Sequence, residues 1–103
     1  MARTITIRAR ERDGQVTVKS VIRHPMENGK RKIRKTGKKV PPHFIKEVIV
    51  TRNNRVLMEV FWGKTISPNP YLSFQIPGQK GDVISISWLD SRGNSETAVT
   101  SVL

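Results

Sequence analysis

Two histidines, His24 and His43, and eight carboxylates are the side chains best suited to acid–base or metal chemistry. The histidines stand nineteen positions apart, each beside a proline, in a chain without cysteine. That spacing is not a metal-ligand pattern, and it falls short of the usual ligand count. It points to imidazoles that cap backbone groups in their Pro-containing turns. The acids Glu11, Asp13, Glu27, Glu47, Glu59, Asp82, Asp90 and Glu96 show no close pairing of the kind general acid–base work needs. No Gly-x-Ser-x-Gly elbow or phosphate-cradling loop is present, and Gly78-Gln79-Lys80-Gly81 is too short for either. Without thiols there is no disulfide, thiolate metal site, iron–sulfur cluster or cysteine nucleophile, and the chain cannot itself carry a substrate on sulfur. No cofactor is expected, and the residues describe a binding module rather than an enzyme.

The second chemical feature is charge. A net charge of +11 on 103 residues suggests a polyanionic partner. The excess is local. Lys30, Arg31, Lys32, Arg34, Lys35, Lys38 and Lys39 place seven of the nineteen cations within ten acid-free positions, leaving twelve cations against eight acids elsewhere, or +4. With Gly29 and Gly37 around it, this run reads as an exposed loop or short hairpin. Three roles fit it: a solvated, self-repelling tip, a surface that steers toward an acidic protein or anionic substrate, and a nucleic-acid contact. Against the last, none of the six aromatics (Phe44, Phe61, Trp62, Tyr71, Phe74, Trp88) lies in the run to stack a base.

These groups must be positioned by β-structure. The length suits a single domain spanning 1–103, and the apolar residues are rich in Val, Ile, Phe and Trp. About seven strand-like segments, at β-sandwich spacing, are separated by turn chemistry. Residues 4–10 alternate, with Ile5, Ile7 and Ala9 on one face and Thr4, Thr6, Arg8 and Arg10 on the other. Asp13-Gly14 then favours a tight reversal. The next strand, 16–23, puts Val16, Val18 and Ile22 on one side and stops where Pro25 removes a ladder donor. Further strands are expected at about 44–52, 55–62, 71–76, 83–89 and 96–102, and Asn53-Asn54 fits a hairpin between the third and fourth.

Two of these strands are apolar on both faces: Val48-Ile49-Val50, and Val56-Leu57-Met58 followed by Val60-Phe61-Trp62. One face can fill the sandwich. The other meets either the Pro-rich loops 24–43 and 63–70 or another protein. Val60, Phe61, Trp62, Tyr71, Leu72 and Phe74 are the candidate partner interface, because aromatics dominate interface hot spots. The N-terminus, Met1-Ala2-Arg3-Thr4-Ile5-Thr6-Ile7-Arg8, alternates from the start and lacks the continuous apolar stretch of a signal peptide. Read alone, it suggests a cytoplasmic protein.

A series of words in fixed order completes the reading: His24-Pro25-Met26-Glu27-Asn28-Gly29, Pro41-Pro42-His43-Phe44-Ile45-Lys46-Glu47-Val48, Trp62-Gly63, and Ser67-Pro68-Asn69-Pro70-Tyr71-Leu72-Ser73-Phe74. Lys80-Gly81-Asp82 and Ser87-Trp88-Leu89-Asp90 close it. This order resembles SoxZ, the small subunit of the SoxYZ sulfur carrier of bacterial thiosulfate oxidation, over nearly the whole chain. The resemblance implies an immunoglobulin-like antiparallel sandwich that supports a SoxY-like partner. That partner carries sulfur intermediates on a cysteine near the end of a flexible C-terminal arm and presents them to the pathway's enzymes. It also implies a periplasmic location, reached by export together with the partner, against the cytoplasmic reading of the N-terminus. Within the words, His24, Pro25, Met26 and Gly29 shape one turn, and Pro42, His43 and Phe44 shape entry to the third strand. Gly63, Asn69 and Pro70, with Trp62 and Tyr71, form the other loop.

Overall fold

The computed structural model describes residues 4–103; the expectation for Met1, Ala2 and Arg3 lies outside them. Seven strands and no helix appear among the described residues: β1 (Ile5–Arg12), β2 (Gln15–Ile22), β3 (Ile45–Arg52), β4 (Arg55–Phe61), β5 (Tyr71–Pro77), β6 (Val83–Asp90) and β7 (Ser95–Ser101). They form two antiparallel sheets, β1-β2-β5 and β4-β3-β6-β7, consistent with the β-sandwich read from the sequence.

Turn chemistry sets the registers. Asp13 (φ 54°) and Gly14 (φ 79°) both take the left-handed conformation that a two-residue hairpin demands, so the first ladder runs on to Arg12↔Gln15. That is why β1 reaches two residues beyond the expected end at residue 10. Asn53 and Asn54, at φ 50° and 68°, do the same between β3 and β4. The inward positions of the expected pattern fill the core: Ile5, Ala9, Val16, Val18 and Ile22 from one sheet face Ile45, Val48, Val50, Ile84, Ile86 and Trp88 from the other.

One flank of the sandwich is closed by the packing of β1 on β7 and β6. Leu103 continues that flank, donating to the Ala9 carbonyl and accepting from the Glu11 N–H. The other flank is bounded by the edge strands β4 and β5. Inward-facing Met58, Val60, Leu72 and Phe74 there touch the core but stay only half-buried. The ladder slips on β4, where Val50 pairs with Met58 while Thr51 pairs with Val56, leaving Leu57 as a bulge on an edge strand.

The basic segment does form a hairpin-like arm. Lys32 bridges Lys39, the Ile33 carbonyl accepts from Thr36 and Gly37, and at the base Glu27 bridges His43. An eight-residue strand spans only about 27 Å, yet the molecule measures 54 × 25 × 20 Å. The long axis therefore includes the arm.

Candidate functional site

Five of the six sequence words converge on one end of the sandwich. His24 follows β2, His43 and Phe44 precede β3, Trp62 follows β4, Asn69 and Pro70 precede β5, and Asp90 ends β6. The exception is Lys80-Gly81-Asp82, which closes the opposite end. Asp82 there accepts from the Gln79 N–H and the Asn53 amide, and these bonds hold its carboxyl below the usual carboxylate range.

The centre of the first end is Asp90, 1% exposed. Its Oδ2 accepts hydrogen bonds from His43 Nε2 at 2.7 Å and His24 Nε2 at 3.1 Å. Its Oδ1 accepts from the backbone N–H groups of Asn94 (2.9 Å) and Arg92 (3.0 Å), forming the turn into β7. Burial would raise the Asp90 pKa, but the two imidazole donors and these two amides overcome it and hold the carboxyl far below its ordinary value. Asp90 is thus ionised at neutral pH.

His24 is equally constrained. The Met26 N–H donates to its Nδ1 at 3.1 Å, so the proton of the neutral ring sits on Nε2, facing Asp90. Burial is the main reason its pKa is lowered; the Asp90 hydrogen bond works the other way, and the neighbouring His43 adds to the lowering. The two imidazoles meet edge-on at 4.6 Å, and Trp88 stacks edge-on to His24 at 5.3 Å. As expected, His24 caps its own Pro-containing turn; His43 instead spends its Nε2–H on Asp90.

His24, His43 and Asp90 bring three ligand-type atoms within 4.8 Å of one another. The proton inventory opposes a metal at that point. A metal-bound imidazole normally donates its other N–H to a second-shell acceptor, whereas His24 Nδ1 accepts a hydrogen bond from the Met26 N–H. Binding through Nε2 would leave two N–H groups facing each other or require imidazolate. The cluster is better described as a hydrogen-bond hub. It clamps both ends of the basic arm, since His24 precedes the arm, His43 follows it, and one oxygen holds both.

Neighbouring contacts extend this clamp. Asn69, at φ 53°, donates its N–H to the His24 carbonyl and accepts the His24 N–H on Oδ1, which ties the 63–70 loop to the arm's root. Met26, also at positive φ (48°), is buried, with its Sδ against the Ile45 N–H. Pro42 packs beside Gly29 (φ 85°), where an added Cβ would lie 2.8 Å from the proline Cγ. Pro25 is exposed, as is Gly63. Within the arm, Arg31 pairs with Glu27 at 2.7 Å; Lys30, Lys32, Arg34, Lys35, Lys38 and Lys39 are exposed and join no ion pair among the described residues.

The candidate interface residues divide by direction. Phe61 is 72% exposed and Tyr71 58%, while Val60, Trp62, Leu72 and Phe74 pack against the core and keep one side open. The Pro-rich loops leave the outer face of β4 uncovered: Val56 is 58% exposed beside Leu57 and Phe61. Sequence reasoning quoted Asp90 inside a word but gave it no role. Its only sequence signal was an acid placed just before the Ser91-Arg92-Gly93-Asn94 turn.

No curated protein matches the chain. The family model described as "Sulphur oxidation protein SoxZ" matches residues 5–101, spanning every strand. This agrees with the order of the sequence words and with the sandwich that gathers them, so the chain belongs to the SoxZ family and has a role in sulfur oxidation.

Proposed function

We propose that this chain is the non-catalytic subunit of a heterodimeric sulfur carrier in thiosulfate or sulfur oxidation, supporting a SoxY-like partner whose C-terminal cysteine arm bears the sulfur intermediates. A chain with no cysteine requires such a partner for any carriage on sulfur. The observation that carries the reading is the β4 edge. Val56, Leu57 and Phe61 stand exposed on a strand whose outer side pairs with no other strand among the described residues. An apolar strand edge of this kind is an aggregation hazard unless another chain covers it. Tyr71, on the edge strand β5 of the other sheet, is also exposed.

In this reading the basic arm steers the complex toward acidic or anionic partners, the transiently visited pathway enzymes among them. Its clamped root keeps that charge at a fixed place relative to the sandwich. The location that goes with the reading is the periplasm, reached by export together with the partner.

Native mass spectrometry of the chain co-expressed with a cysteine-arm subunit tests it. A 1:1 complex is expected, with slowed amide exchange along β4. A chain that stays alone under those conditions refutes the subunit reading.

A further inference from the structure

A second cationic surface lies away from the arm, on the outer face of β1 and β2. Arg8, Arg10 and Arg12 occupy alternate positions of β1, all exposed, at about 7 Å intervals along the strand. The register sets Arg8 directly opposite Lys19, with Thr17 opposite Arg10. Like charges directly opposite on one sheet face oppose folding. None of these four cations joins an ion pair among the described residues. The nearest acids in sequence do not relieve them: Glu11 lies on the other side of the strand and accepts the Gly14 N–H, and Asp13 sits in the hairpin turn and joins no ion pair among the described residues. On β5 the same rows continue with uncharged Ser73 and Gln75. The arginines and Lys19 line a concave surface with the hydroxyl residues Thr17, Thr100 and Ser101. A chain with eight acids has left one face with four adjacent cations and no acidic side chain in the rows they occupy.

We propose that this face docks an acidic surface of another protein. One exposed ion pair contributes little, so a small anion touching one or two of these side chains gains little, whereas a partner spanning all four gains from each. Arginine forks fit carboxylates in two-bonded geometry. The adjoining row of the same face, Val21 beside Tyr71, supplies exposed apolar and aromatic surface, and Arg with Tyr is the pairing that marks protein interfaces. Nucleic acid fits less well. A three-stranded sheet face enters neither groove of a duplex as a helix or a two-stranded ribbon does, and the cationic rows contain no aromatic on which a single strand could stack. The proposal does not depend on the sulfur-carrier reading, because it rests on register and charge alone.

The test uses the full chain and labelled poly-L-glutamate, with a single-stranded and a duplex oligonucleotide as competitors, followed by fluorescence anisotropy at low and physiological salt. The Arg8→Gln/Arg10→Gln variant should bind poly-L-glutamate about tenfold more weakly, with a shallower salt dependence. A Lys32→Gln/Lys35→Gln/Lys38→Gln arm variant should lose less than the β1 variant, because the arm steers encounter but lies outside this face. Thermal melting checks folding, and relief of the Arg8–Lys19 opposition should leave the melting temperature unchanged or raised. Arg12→Gln is the fallback variant if the double substitution fails to fold. Loss confined to the arm variant overturns the proposal. So does an oligonucleotide that binds more tightly than poly-L-glutamate and is released by the β1 substitutions.

Discussion

His43 Nε2 and Asp90 Oδ2 lie 2.7 Å apart although 47 positions separate them in the chain, and the same oxygen holds His24 from the far side of the basic arm. One buried carboxylate therefore joins three segments: the exit of β2, the entry of β3 and the turn between β6 and β7.

Replacing Asp90 should cost far more than a surface change. Asp90→Ala leaves two imidazole N–H groups and two turn amides without their acceptor, and each buried orphan costs about 1–3 kcal/mol. A loss of at least about 4 kcal/mol, or roughly 20 °C in melting temperature for a domain this size, is the expected outcome. Asp90→Asn should recover only part of it, because an amide nitrogen now faces one set of donors. A melting temperature within a few degrees of the parent would show that the hub contributes little.

Acid should destabilise the protein through His24. Its unfolded pKa is near 6.5 and its folded pKa is lower, so below pH 6.5 the unfolded chain binds more protons and stability falls as pH falls. The slope is limited to about 1.4 kcal/mol per pH unit for one group. Asp90 acts in a separate window: its folded pKa lies below the 3.8 of the free group, so its contribution holds above that value and is lost only under stronger acid. Urea midpoints measured from pH 7.5 down to 5 check the first window. A flat profile there contradicts the fixed tautomer.

Phe61 and Trp62 are neighbours with opposite expected behaviour. Phe61→Ala removes a ring already 72% exposed, so the monomer should melt within a few degrees of the parent while partner affinity drops at least about tenfold. Trp62→Ala strips a side chain packed on the core and should cost about 2–3 kcal/mol of stability as well. Thermal melts paired with native mass spectrometry of the complex separate the two. Equal destabilisation by both would return Phe61 to the core.

Glycines of the arm should rank by their surroundings. Gly29 has φ 85° and a prospective Cβ 2.8 Å from Pro42, whereas Gly37, at φ 69°, has open space around it. Gly37→Ala should therefore cost only the left-handed backbone penalty of about 1 kcal/mol. Gly29→Ala should cost more and loosen the root. Amide exchange at His43 and Glu27, which exchange backbone hydrogen bonds, reports the loosening; equal effects at both glycines would contradict it.

Much of the architecture was legible in the linear chain. Period-two alternation placed Ile5, Ala9, Val16, Val18 and Ile22 inward, and Asp13-Gly14 and Asn53-Asn54 marked the tight hairpins, because strand direction and turn conformation are local properties. The missing thiols and the segregated lysines were equally visible, as was the order of words that carries the family. Tertiary structure decided the rest. Two histidines with no acid cluster nearby in sequence acquire a shared carboxylate only when β6 lies beside β3. Register alone set Arg8 against Lys19. An apolar β4 became an open edge because no strand among the described residues pairs with its outer side. Alternation tells which face a side chain takes, but which chains of contacts lie across that face depends on pairing between distant segments, and local sequence does not encode it.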